Sequence, residues 1–287
     1  MSLSSNSLSK ALGQTEVHRV MSKNDDADGF AGQRLQVVCV SHVPDVFERY
    51  VGSNSHVNRY LIVLYDNSIE NVGLAERYNH FIEQQMGEGW IIFMHHDFCF
   101  DEDPLLRIHR LPMNTIYGVT GTRLGKRHRY AYLGLSRKHG LTLQAGHYYG
   151  TRHLGRIKCR VEIAEAQTCG TPVEDTTLVD TVDCCCLIVH SSLIRKYQLR
   201  FDPLLAWHFY SEDFSLTAQR SHGIETRVVQ MDCGHYGYGR PDEDFYRSQR
   251  YLVKKYQGML FSSTCYVPPG GGGIERFAGG KGLLLLF

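Results

Sequence analysis

Apolar residues fall into short unbroken runs rather than into alternating or heptad patterns. LQVVCV (35–40), RYLIVLY (59–65), WIIFM (90–94), IYGVT (116–120) and the run 182–189 each predict a strand. Residues 73–86 lie between the second and third runs. They predict a helix with Leu74, Tyr78, Phe81 and Ile82 on one broad face. A short helix or turn is expected at 191–197 and a helix at 214–222 closed by Gly223. A strand at 225–229 and a last helix at 245–256 follow. Continuous apolar strands separated by helices predict an α/β fold. Its central sheet is mostly parallel and covered by helices on both faces. Residues 123–180 are rich in Arg, His, Tyr and Gly with weak periodicity. They are expected to form loops with a short hairpin on the acceptor side of a cleft.

The flanks read differently. Residues 1–33 are Ser-, Asn-, Asp- and Gly-rich and are expected to be a flexible arm. The folded domain is expected over 34–257. Residues 258–287 carry a Pro-Pro pair, four successive glycines and a terminal LLLLF. They are expected to be a flexible tail whose apolar end docks on the domain or on a partner.

Composition narrows the function classes. Hydrophobic residues at 43% exclude a chain disordered throughout. A formal net charge of +1 gives no support to a general nucleic-acid binder, and no nucleic-acid partner is expected. No apolar run approaches the length of a membrane span. The first residues lack a signal-peptide core, so a cytoplasmic protein is expected, with peripheral association at the cytoplasmic face of a membrane left open. Cys184, Cys185 and Cys186 are consecutive, and no CxxC pair is present. Neighbouring strand side chains point to opposite faces, so the three read as small buried residues rather than as a zinc site. Walker and Rossmann glycine motifs are absent.

Polar clusters gather at predicted element ends, where open α/β sheets bind ligands. Asp66-Asn67-Ser68 follows the second strand and suits a nucleobase or ribose; an Asx turn is the plainer alternative. Asn71 could cap the next helix, Gly73 permits close backbone approach, and Asn79 lies further along that helix. His95-His96-Asp97 follows the third strand, with Asp97 suited to a hard cation and His95 to a borderline one such as Mn²⁺. A solvated charged loop is the alternative there. Glu212-Asp213 follows the aromatic segment WHFYS and offers either a general base or favourable charge at a helix start. His235 lies in the Gly/Tyr-rich segment CGHYGYG.

Taken in order, these segments resemble the inverting GT-A glycosyltransferases of the family 2 type over residues 35–235, most of the chain. Asp66-Asn67-Ser68 is similar to the family's D-N-x-S segment. Asn71, Gly73, Ala75 and Asn79 match N-x-G-x-A-x-x-x-N. HHD stands where the family has its DxD metal motif, with His95 at an outer position often acidic. FDPLLAWHFYSED resembles F-D-x-x-F-x-x-x-x-E-D with a longer gap. The resemblance implies a GT-A-like domain with a Rossmann-like nucleotide-binding half and an acceptor-binding half. It implies transfer of a sugar from a nucleotide diphosphate sugar to a hydroxyl-bearing glycan or other acceptor, with inversion. Mn²⁺ or Mg²⁺ would be held by Asp97 with His95 and His235. Asp66, Asn67, Ser68, Gly73, Asn79 and His96 would hold the nucleotide. Asp213 would be the base, with Glu212 beside it as the competing assignment. Trp207, His208 and residues 123–160 would shape the sugar and acceptor pockets. Arg123, Arg127 or Arg129 would stand in for the cation if the protein dispenses with metal. The rival readings are a non-catalytic nucleotide- or carbohydrate-binding protein on the same fold, a sugar-phosphate nucleotidyltransferase, and an interaction protein built on the tail.

Overall fold

The computed structural model describes residues 17–20, 34–126, 149–155, 157–159, 167–237, 241–257, 261 and 263–264. Its strands are β1 (Val17–Val20), β2 (Leu35–Ser41), β3 (Leu61–Asp66), β4 (Trp90–His95), β5 (Phe98–Phe100), β6 (Ile116–Gly118), β7 (Gly121–Lys126), β8 (Tyr149–Leu154), β9 (Ile157–Cys159), β10 (Gln167–Cys169), β11 (Thr176–Val179), β12 (Thr181–Val182), β13 (Cys186–His190), β14 (Thr226–Val229) and β15 (Cys233–His235). Its helices are α1 (Pro44–Phe47), α2 (Leu74–Gln84), α3 (Pro104–Ile108), α4 (Ser191–Tyr197), α5 (Tyr210–His222) and α6 (Glu243–Lys255).

Eight strands form the central sheet in the order β1-β3-β2-β4-β13-β6-β14-β11. β2 pairs in parallel with β3 and β4, and β14 pairs in parallel with β6. β13 runs antiparallel between β4 and β6, and β1 and β11 close the two edges antiparallel. Five strands therefore run one way and three the other, so the central sheet is mixed and mostly parallel, as the apolar runs predict. The buried reverse strand β13 has the same continuous apolar pattern as its neighbours and carries no separate signal.

Successive residues of each strand feed opposite layers, which is why the runs do not alternate. Val38, Val40, Val63, Tyr65, Ile91 and Phe93 pack with α2, α4, α5 and α6 on one face. Val37, Cys39, Ile62, Leu64, Ile92 and Met94 pack with Phe47, Val51, Phe98 and Leu105 on the other. α2 buries Ala75, Tyr78, Phe81 and Ile82, close to the face its spacing predicts.

Three local differences shape the site. The run 182–189 is not one strand: β12 pairs with β7, β13 pairs with β4, and residues 183–185 turn between them. The Asp183 carboxylate accepts the Cys185 N–H at 2.9 Å, which draws the chain out of the ladder. The helix expected at 214–222 starts at Tyr210, so Glu212 and Asp213 lie in its first turn rather than before it. Phe209 makes that entry in the left-handed region, at φ 62°. Finally, β15 pairs with β5 and sets His235 opposite Phe98, closing 137 residues of chain onto the end of β4.

The flanks also depart from the expected arm and tail. Val17–Val20 pair with β3 as an edge strand, and the rest of 1–33 lies outside the described residues. Phe261 is buried, and Ser263 and Thr264 make side-chain hydrogen bonds to the domain, so these three tail residues dock. The glycine run and LLLLF lie outside the described residues. Among the described residues no helix is long and apolar enough to cross a membrane.

Candidate active site

The parallel strands β2, β3 and β4 end side by side, and their ends carry Ser41, Asp66 and His95. Beyond β4 the chain turns through His96 and Asp97 before β5. β15 delivers His235 to the same place. One ligand atom from each of His95, Asp97 and His235 can be chosen so that all three lie within 4.8 Å of one another. The Nε2 of His235 is 3.2 Å from Asp97 Oδ1 and 3.3 Å from His95 Nδ1. The expected metal set is thus brought together, although β4 and β15 are far apart in sequence.

The hydrogen bonds fix the state of His95. Tyr210 gives its one hydroxyl proton to the Cys184 carbonyl at 3.0 Å, so its oxygen accepts from His95 Nε2 at 2.8 Å. A neutral His95 then keeps a bare Nδ1 facing His235. Burial, reinforced by the neighbouring His235 charge, pushes the His95 pKa down to about 4, so the ring is neutral at physiological pH. Burial opposes ionisation of Asp97, but the His235 hydrogen bond and the charges of the three histidines outweigh it and hold the carboxyl well below its usual range. At His235 burial favours the neutral ring, and Asp97 with Asp183 outweighs it and raises the pKa. A bare imidazole nitrogen, an ionised carboxylate and a second imidazole converging on one point suit a divalent cation of borderline character.

The loop after β15 is shaped around Asp97. Tyr236 N–H donates to the Asp97 carbonyl at 2.9 Å, and its ring stacks on Tyr50 with centroids 4.5 Å apart. A Cβ added to Gly237 would lie 1.8 Å from Asp97 Oδ2, so only glycine lets the backbone pass this carboxylate. Sequence reading singled out the loop for its histidine and missed this glycine.

On the nucleotide side the expected residues divide. His96 remains at the strand ends: its Nδ1 is 2.8 Å from Ser41 Oγ, and its ring lies 4.9 Å from that of His42. Asp66 accepts the Ser68 N–H at 2.7 Å, the Asx turn that was the plainer alternative. Asn67 is buried and structural, donating to the Val72 carbonyl at 2.6 Å and accepting from Arg77 Nε at 3.0 Å. Asn79 is a correction: it takes both backbone groups of Phe201, the carbonyl at 2.8 Å and the N–H at 2.9 Å, so its amide is committed to holding that loop on α2. Gly73 is another correction. Its added Cβ would meet Ala206 Cβ at 2.7 Å, so it serves packing between α2 and the 206 loop. Gly73 itself takes the N-cap position of α2, without a side-chain cap from Asn71.

The Glu212-Asp213 pair points two ways. Asp213 Oδ1 is 2.7 Å from Lys255 Nζ and accepts from Tyr256 Oη at 2.8 Å, with 1% of its side chain exposed. Lys255 also bridges to Asp202 at 2.6 Å. Burial raises the Asp213 pKa, and Lys255 and Tyr256 offset only part of that. This carboxylate clamps α6 onto α5 and is directed to that clamp, not to the histidines. Glu212 instead lies beside Cys184, whose Sγ is 3.2 Å from Oε2, while Ser263 donates to Oε1 at 2.8 Å. Cys184 carries the carbonyl that Tyr210 binds, so Glu212 is tied to the His95 end of the site. Asp183, next to Cys184, was missed by sequence reading, which saw only the cysteines of TVDCCC. Its charge acts on both His95 and His235.

The remaining candidates lie outside this core. His208 Nε2 is 3.6 Å from Asp242 Oδ1, Trp207 is half-buried, and Arg123 is exposed on β7. Arg127, Arg129 and most of 123–160 lie outside the described residues. Cys184, Cys185 and Cys186 are free and buried, as expected, and so are Cys39, Cys99 and Cys233.

Neither protein-family models nor curated proteins give a match to this chain. Solved structures similar to it include GalNAc-T7 with UDP, GalNAc and Mn²⁺, at 10% identity and a TM-score of 0.49 over 79% of this chain and 48% of that one. They also include TarS 1–349 of S. aureus with UDP, at 10% identity and a TM-score of 0.41 over 80% and 67%. The same protein with UDP-GlcNAc gives 10% identity and a TM-score of 0.43 over 80% and 68%. Both are GT-A-type glycosyltransferases. The chain spans about half the length of GalNAc-T7.

Proposed function

We propose that this chain is a nucleotide-sugar glycosyltransferase that uses a divalent cation, preferentially Mn²⁺, and inverts the transferred sugar carbon. The observation that carries the reading is the convergence of His95, Asp97 and His235 at the ends of β4 and β15, beside the parallel strand ends. Two nitrogens and one carboxylate favour Mn²⁺ over Mg²⁺, which prefers oxygen and water. When bound, the cation would stabilise the charge that develops on the departing diphosphate.

The chain's own groups account for the rest. Asp66 and His96, with Ser68 at the rim, line the strand ends where the nucleotide would lie. Tyr210 and Asp97 hold the two imidazoles in orientation. Glu212 takes the base role in place of Asp213, because Asp213 is consumed by Lys255. Glu212 would accept the acceptor hydroxyl's proton as that oxygen attacks the sugar carbon opposite the diphosphate. A single carboxylate then suffices, unlike the paired acids of glycoside hydrolases.

The test is donor turnover with a panel of UDP-sugars, glycan acceptors and Mn²⁺. Glu212→Gln should slow the chemical step about 10²–10⁴-fold while leaving UDP binding near normal. Normal turnover of Glu212→Gln would remove the base assignment. A second reading, nucleotide binding without transfer, is favoured by the complete burial of Glu212. UDP binding with no transfer to any acceptor in the panel would select it.

A further inference from the structure

Glu212, from α5, contacts Cys184, and Asp183 is the residue before that cysteine in the chain. Glu212 Oε2 lies 3.2 Å from Cys184 Sγ, and Asp183 precedes Cys184 in the β12–β13 turn. One oxygen of each acid has a partner in the domain: Oε2 of Glu212 is 3.0 Å from Ser211 Oγ, and Oδ1 of Asp183 takes the Cys185 N–H at 2.9 Å. The other oxygens are engaged by Ser263 and Thr264, beyond α6. Ser263 donates its hydroxyl to Glu212 Oε1 at 2.8 Å, and Thr264 donates to Asp183 Oδ2 at 2.6 Å. Phe261 anchors these residues, buried with its ring centroid 6.0 Å from that of Tyr256.

We propose that Ser263 and Thr264 are an internal stand-in for the acceptor: their adjacent hydroxyls occupy an acceptor subsite made by Glu212 and Asp183, which a polyhydroxylated glycan must take by displacing them. The proposal rests on the glycosyltransferase reading for the identity of the displacing ligand. The chemistry of the subsite stands apart from it. Each carboxylate wants hydrogen-bond donors, and two adjacent hydroxyls supply them without adding charge. Carbohydrates present such pairs on neighbouring ring carbons, whereas a single alcohol has only one hydroxyl proton to give. The location suits an acceptor, because Cys184 connects the acid pair through Tyr210 to His95. The apolar anchor sits at Phe261, while the two hydrogen bonds at 263 and 264 are exchanged one for one when another diol enters.

The experiment uses the full chain and the double variant Ser263→Ala/Thr264→Val, which keeps Phe261. Carbodiimide labelling of Glu212 and Asp183, read by peptide mass spectrometry, reports access to the acids whatever the protein's activity. The expected result is several-fold faster labelling in the variant with Mn²⁺-dependent UDP binding unchanged. Equal labelling rates would overturn the stand-in. Saturation-transfer NMR with methyl glycosides of glucose, galactose and N-acetylglucosamine then reads the subsite. At least one glycoside should bind the variant more strongly than the wild type, and lose that binding in Glu212→Gln. No glycoside binding to either protein would overturn the glycan assignment. Should the double variant fail to fold, Thr264→Val alone reports through Asp183 labelling. Absence of UDP binding in the wild type would sink the transferase reading while leaving the labelling result to judge the stand-in separately.

Discussion

Replacing Lys255 by Met separates a structural Asp213 from a catalytic one. Lys255 Nζ lies 2.6 Å from Asp202 and 2.7 Å from Asp213, whose side chain is 1% exposed. Methionine keeps the stem and leaves Asp213 with Tyr256 as its hydroxyl donor at 2.8 Å. Breaking a buried pair from one side costs about 3–5 kcal/mol. Lys255 is 29% exposed, so water screens part of the attraction. A loss of about 2–4 kcal/mol is therefore expected, a fall in Tm on the order of 10 °C for a domain of this size. The pH dependence has a definite sign. Burial raises the folded pKa of Asp213, so its contribution is most favourable at acid pH and is lost as pH rises through that raised value. Asp202 is held low mainly by Lys255 and Tyr251 against its burial, so its contribution is present above the unfolded carboxylate range and lost as pH falls. Without Lys255 both effects make the deficit larger at pH 7.5 than at pH 5. Urea denaturation at the two pH values measures it. Asp213→Asn in the Lys255→Met background should recover the part of the loss that comes from Asp213, because that uncompensated charge is gone, while Asp202 still lacks its lysine. The reasoning is refuted if Lys255→Met stays within about 0.5 kcal/mol of wild type, or if Asp213→Asn keeps full stability while abolishing the chemical step.

Two further outcomes are expected. Gly237→Ala should drive a methyl group into Asp97 and lower Mn²⁺ affinity about 10–100-fold, as loss of support around a metal ligand does; Mn²⁺ titration by electron paramagnetic resonance reads it, and unchanged affinity would contradict the placement of the loop. Asn79→Ala should strand the Phe201 backbone groups and cost about 1–3 kcal/mol in stability, with UDP affinity unchanged; a stable variant that has lost UDP binding would return Asn79 to the nucleotide site.

The legible part of this protein is the part written in contiguous apolar runs and their ends. β2, β3, β4 and α2 follow from unbroken hydrophobicity and helical spacing, and the strand-end rule located Asp66, His95, His96 and Asp97. His235 was legible through its place in the order of motifs, although its delivery depends on the β5–β15 pairing. What stayed hidden was direction and aim. Nothing in CLIVH marks β13 as the reversed strand. Asn79 and Asp213 have the residue types that bind ligands, yet tertiary contacts from Phe201 and Lys255 consume them. The first turn of α5 decides this for the acid pair, because residues one apart on a helix face different ways. Asp183 and Gly237 were concealed by their neighbours, a cysteine triplet and a histidine, although an acid inside a buried run and a glycine two residues past a candidate ligand are signals that can be sought.

The central claim is that His95, Asp97 and His235 join a divalent cation to a nucleotide diphosphate. Calorimetric titration of UDP into the wild type and into Asp97→Asn, each with Mn²⁺ and with chelator, tests it most directly. The account predicts wild-type binding that is lost or weakened at least tenfold in chelator, and an Asp97→Asn protein that folds normally but gains nothing from Mn²⁺. Equally tight UDP binding in all four titrations would contradict it.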